Sequence, residues 1–187
     1  MRQIEKVEMP KKTDINKLIQ DLKSKDIKVH ESAHLALMIA GSEAIPELIQ
    51  TLESQDRNLR WEAAKTLAEM RNPTLAQLLV KNLENLDPDI RWLAAEGLIA
   101  LGSEGIIPVL KALTNYSGTL QMKSGVHHIL HDLYWTKLHE GENEYQTKHP
   151  LNTKTKALIL PILKELEGAE SSQVISAKAK IALKRLE

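Results

Sequence analysis

The stretch PDIRWLAAEGLIALG, residues 88–102, decides the fold, because three other stretches repeat its pattern. IKVHESAHLALMIAG (27–41) and RNLRWEAAKTLAEMR (57–71) align with it without gaps, and LQMKSGVHHILHDLY (120–134) follows the same frame. Leu37, Leu67, Leu98 and Leu130 mark the register, at steps of 30, 31 and 32 residues. In the first copy the apolar positions are Val29, Ala33, Ala36, Leu37 and Ala40. That spacing places them on one face of an α-helix. A weaker fifth copy carries Ile175, Ala179, Ala182, Leu183 and Leu186 in the matching columns.

Each copy is preceded by a second amphipathic stretch: INKLIQDLKS (15–24), AIPELIQTLES (44–54), TLAQLLVKNLENL (74–86), GIIPVLKALTN (105–115) and KALILPILKELEG (156–168). Pro46, Pro108 and Pro161 are expected near the starts of three of these helices, where a missing N–H does little harm. The unit is helix, turn, helix. A pair of short amphipathic helices cannot bury its apolar stripe alone, so neighbouring pairs must stack. The expected fold is all-α, a right-handed α-α superhelix (solenoid) of about five helix pairs in one domain over residues 1–187. Residues 1–13 are read as an N-terminal extension. Ala33, Ala63 and Ala94, with Ala64 and Ala95, are expected to let successive helices approach to about 8–10 Å.

Asp87, Ile90, Arg91, Ala94, Ala95, Leu98, Leu101 and Gly102 spell DxxIRxxAAxxLxxLG, which resembles the HEAT-like repeats of phycobilisome bilin lyases. Leu59, Arg60, Trp61, Ala63 and Ala64 are similar, and the likeness runs through most of the chain from about Asp14. The resemblance implies the solenoid fold and leaves the function open, since such repeats serve lyase subunits, hydroxylases and plain binding scaffolds. Deoxyhypusine hydroxylases, which are HEAT-like solenoids, hold two irons through repeated His-Glu pairs. His30 and Glu31 match that pair, but the next copies carry Arg60-Trp61, Arg91-Trp92 and Lys123-Ser124. A di-iron site is therefore not expected.

Composition narrows the function further. The chain has 25 Lys plus Arg against 25 Asp plus Glu, so no global field draws it to nucleic acid. It has no Cys, which excludes disulfides, thiolate metal sites and a Cys nucleophile. No apolar run approaches the roughly 18 residues of a membrane span. The polar start MRQIEKVEMPKKTD lacks a secretory pattern, so the cytoplasm is the expected compartment. No phosphate loop, nucleophile elbow or HExxH appears, which points away from an enzyme, and no cofactor is expected.

The leading expectation is a non-catalytic scaffold whose concave face binds a protein or peptide through Arg60, Trp61, Arg91, Trp92 and Lys123. Arg and Trp dominate interface hot spots. The opposing reading is that each Arg pairs with an Asp of the adjacent turn, such as Asp56 or Asp87, and each Trp packs between repeats. The alternative function is metal or small-ligand binding, as a bilin-lyase-like chaperone or through His127, His128 and His131. His127 and His131 stand four residues apart on one helical face, where two imidazoles can share a metal. His30 and His34 repeat that spacing. A third ligand would come from His139, Glu140 or His149 in an insertion at 136–156, inferred because Leu130 and Leu183 are 53 residues apart. Charge is uneven as well: residues 1–28 hold 8 basic and 5 acidic groups, while 29–55 hold four Glu and no Lys or Arg.

Overall fold

The computed structural model describes residues 12–135, 151–168 and 171–187. Ten α-helices run through them: α1 (Lys12–Asp21), α2 (Ile27–Ala40), α3 (Ile45–Thr51), α4 (Arg57–Glu69), α5 (Ala76–Asn82), α6 (Pro88–Leu101), α7 (Ser103–Thr114), α8 (Leu120–Trp135), α9 (Thr153–Glu167) and α10 (Ser172–Leu186). Short 3₁₀ turns lie at Gly41–Glu43 and Pro73–Leu75, and no strand occurs among the described residues. In chain order these are the five expected helix pairs.

The turn inside the first three pairs is built the same way. Asp26, Asp56 and Asp87 cap α2, α4 and α6, each accepting a hydrogen bond from the backbone N–H two residues on. Ser24, Ser54 and Asn85 in turn accept from the Asp backbone N–H at 3.0–3.1 Å. Side-chain acceptors here satisfy donors that a helix start leaves unpaired. Gly41 and Gly102 end α2 and α6 at φ 54° and 59°, a conformation that costs glycine little.

The prolines differ from expectation. Pro46 lies in the first turn of α3, but Pro108 is the sixth residue of α7 and Pro161 the ninth of α9. Both helices begin earlier than their apolar periodicity suggested. α7 starts directly after the Gly102 cap, and α9 starts after Asn152, which accepts from the Thr155 N–H. The helix also reaches into the expected insertion, since residues 153–156 belong to α9. Residues 136–150, with His139, Glu140 and His149, lie outside the described residues, as do 1–11.

The chain forms two compact units, one ending at Met70 and the other spanning Arg71–Glu187. In the first, α1 packs on α2, α3 on α4, and α2 on α4, around Leu37, Leu48, Ala63 and Leu67. Two predicted core positions fall short there: Val29 is 40% exposed and Ala36 is half-buried, although the counterparts Leu59, Ile90 and Met122 are buried. Among the described residues no helix pair precedes α1 and α2, and no described element covers that side of α2.

In the second unit α5 packs on α6 and α7, and α6 on α8, as regular stacking requires. The last pair departs from it. α9, which reads as a first helix, lies against the second helix α8, while α10 lies against α7 and α9. Ser176 Oγ donates to the Thr114 carbonyl, tying α10 to α7. The predicted columns Ile175, Ala179 and Ala182 are buried, but against that neighbour. Lys156 Nζ stands 5.8 Å from the Tyr134 ring centroid, so the chain returns to α8 near the point where it left.

Candidate functional site

The second helices carry the expected basic and aromatic positions, and the basic ones reach back to the chain. Arg60 Nη1 donates to the carbonyls of Ser54 (2.9 Å) and Gln55 (3.2 Å). Arg91 Nη1 donates to those of Asn85 (2.7 Å) and Leu86 (3.1 Å). The same residue thus fastens the same turn in two repeats, because a helix C-terminus leaves carbonyls unpaired and a cation suits its dipole. Lys123 Nζ donates instead to Gly168 O (2.8 Å) at the end of α9.

The neighbouring tryptophans point elsewhere. Trp61 is half-buried, with Lys65 Nζ 5.3 Å from its ring centroid, a cation–π contact. Trp92 on α6 is 57% exposed, so its ring is not packed between helices.

The histidines mostly bridge second helices. His30 Nε2 lies 2.8 Å from Glu62 Oε1, joining α2 to α4, and His128 Nε2 lies 2.9 Å from Glu96 Oε1, joining α8 to α6. Each pair spans 32 residues, about one repeat, a signal readable in the sequence once each His is compared with Glu one period away. His34 Nε2 is 3.0 Å from Glu69 Oε2 but is not aligned for a hydrogen bond; the alignment, not the distance, decides, and this nitrogen is buried without a hydrogen-bond partner. Glu62 Oε2 is buried and unpaired too. Ser24, Ile27, His30, Glu31, His34 and Lys65 line a cleft of about 280 Å³ in the first unit.

His127 and His131 come together as their spacing requires, with ring centroids 5.8 Å apart, and His131 is followed by Trp135 at 6.4 Å. Glu167 at the end of α9 approaches His127 Nε2 at 3.8 Å, a neighbour that sequence spacing could not reveal. Among the described residues no group of three or more His, Asp or Glu side chains is arranged to hold a metal ion.

Two ionisable groups are shifted by their surroundings. Asp56 is held below the ordinary carboxylate value chiefly by its hydrogen bond from Lys23, whose Nζ lies 2.6 Å away; desolvation, next in size, opposes this, and the Leu59 and Asn58 N–H groups add to the lowering. The Tyr116 phenol is raised above its ordinary value by burial and then by the charge of Glu84.

Antiparallel helix pairs recurring at about 31 residues, capped alike and sharing apolar columns, define an α-helical repeat protein of the solenoid class. The sequence matches the family of HEAT repeats over residues 15–98 and 45–119, more than half of the chain, and the protein belongs to that family. A comparison with curated proteins finds no significant match. HEAT repeats commonly serve as protein-binding scaffolds. No described helix is long and apolar enough to cross a membrane.

Proposed function

We propose that this chain is a non-catalytic scaffold that binds a protein or peptide along its second helices. Trp92 is the anchor in the Arg71–Glu187 unit, and Trp61 the corresponding contact of the first. The observation that carries the reading is the 57% exposure of Trp92, an aromatic held on a capped helix rather than in the core. Arg60 and Arg91 support it by fixing the backbone beside the tryptophans, while Lys123 ties α8 to the end of α9. The test is capture on immobilised protein followed by affinity measurement. Trp92→Ala should weaken the captured partner at least about tenfold, the loss typical of an aromatic hot spot. Unchanged affinity in Trp61→Ala plus Trp92→Ala would overturn the reading.

A second reading, a metal or small-ligand site on α8, rests on the pairing of His127 with His131 alone, since Glu167 does not complete a three-residue metal group with them. His128 contributes less, being engaged with Glu96. Zinc added to wild type should raise its melting temperature, and His127→Ala plus His131→Ala should remove that rise. Equal curves for the two proteins, with and without zinc, refute it.

A further inference from the structure

The outer side of α2 carries exposed aliphatic side chains. Leu35 and Ile39 are 60% and 47% exposed. At 3.6 residues per turn they fall within about 40° of one another, forming one stripe. The repeat explains what this side is for. Ser32, Leu35 and Ile39 occupy in α2 the places that Glu62, Lys65 and Glu69 occupy in α4. On α4 that side is turned toward α2, where Glu62 meets His30 and Glu69 approaches His34. The matching side of α2 is therefore a stacking surface. It carries two large aliphatic side chains where the later helix carries charges, and no described element covers it.

Charge along the same helix selects the occupant. At the N-terminal end the exposed Lys25 and Lys28 outnumber the exposed capping Asp26, and just past the C-terminal end stands the exposed Glu43, with no Lys or Arg anywhere in residues 29–55. A surface basic at one end, apolar in the middle and acidic at the other is complementary to itself when reversed. We infer that this face takes a second copy of the chain, with α2 antiparallel to its mate about a two-fold axis near Leu35. Such an axis brings Leu35 of the two copies together, places Glu31 beside Ile39 of the mate, and sets Lys28 near Glu43 of the mate. A two-fold interface of this kind uses one patch twice. One helix and its flanking turns make a small contact, so the dimer is weak and forms with rising concentration.

Sedimentation velocity on the full chain over a wide concentration range tests this. Wild type should move from monomer toward dimer, and Leu35→Glu plus Ile39→Glu should stay monomeric with an unchanged helical circular dichroism spectrum. Lys28→Glu and Glu43→Lys should each weaken self-association at least tenfold, because each sets like charges together. An equimolar mixture of those two variants restores both opposite-charge contacts and should associate as wild type does. A wild type that stays monomeric, a dimer that survives the Leu35 and Ile39 changes, or a mixture no tighter than its components would overturn the inference.

Discussion

Replacing Arg91 with Met keeps most of the aliphatic stem and removes the guanidinium that fastens the turn between α5 and α6. Two bonds are lost: the part-buried one to Asn85 O at 2.7 Å and the exposed one to Leu86 O at 3.1 Å. A hydrogen bond involving a charged group contributes about 1.5–3 kcal/mol when shielded. The Asn85 bond belongs near the bottom of that range because Arg91 is half-buried. Water can replace the second donor at Leu86, an exposed residue, so its loss costs about 0.5 kcal/mol. The sum is about 2 kcal/mol, which for a domain of this size lowers the melting temperature by roughly 4–8 °C. Thermal and urea unfolding followed by circular dichroism measure it, and Arg60→Met should show a similar loss in the first unit. A change below about 0.5 kcal/mol in both variants would mean that the turns hold themselves through their Asp caps, and the inward role assigned to the arginines would fail.

Three further outcomes follow from the packing and the shifted groups. Asp56 has a folded-state value below its unfolded one, so its stabilising effect is complete above the ordinary carboxylate range and is lost as pH falls through the folded value; Asp56→Asn should flatten part of the decline in melting temperature between pH 5 and 3. Tyr116 has the opposite sign, with stabilisation complete below about pH 10 and lost as pH rises through the raised value, so Tyr116→Phe should remove part of the loss seen by urea unfolding between pH 9 and 11. Ala94, 3% exposed on α6, has no room for a larger side chain, and Ala94→Leu should destabilise by about 1–3 kcal/mol in urea unfolding, while an increase in stability would show a cavity beside it.

Most of the fold was legible because it rests on local pattern. The leucine register at 37, 67, 98 and 130 fixes the second helices, and Leu37, Leu67, Leu98 and Leu130 are all buried as that register requires. Gly125 inside α8 marks a close approach: a Cβ there would stand 3.1 Å from Leu83 Cδ2. The neighbours of each helix were less legible. α9 and α10 carry the periodicity of a regular pair, yet α9 lies on α8 and α10 on α7, and amphipathicity names the face to be buried without naming what buries it. Val29 shows the same limit, since its column is a core column only where another helix arrives.

The site was legible as residue types and not as directions. Arg60 and Trp61, like Arg91 and Trp92, are neighbours in sequence, and successive residues on a helix point about 100° apart. One position in each pair can therefore face the preceding turn while the next faces outward, which is how Arg91 reaches two carbonyls and Trp92 remains exposed. The division also limits how the face can change. Position 92 can be exchanged for another contact residue with little effect on folding, as the Ser124 of α8 in the same column illustrates. Position 91 cannot be exchanged so freely, because the carbonyls of residues 85 and 86 would lose their charged donor. In the scaffold proposed above, partner specificity would therefore vary through the outward residues 61 and 92, with Arg60 and Arg91 held constant by the turns they fasten.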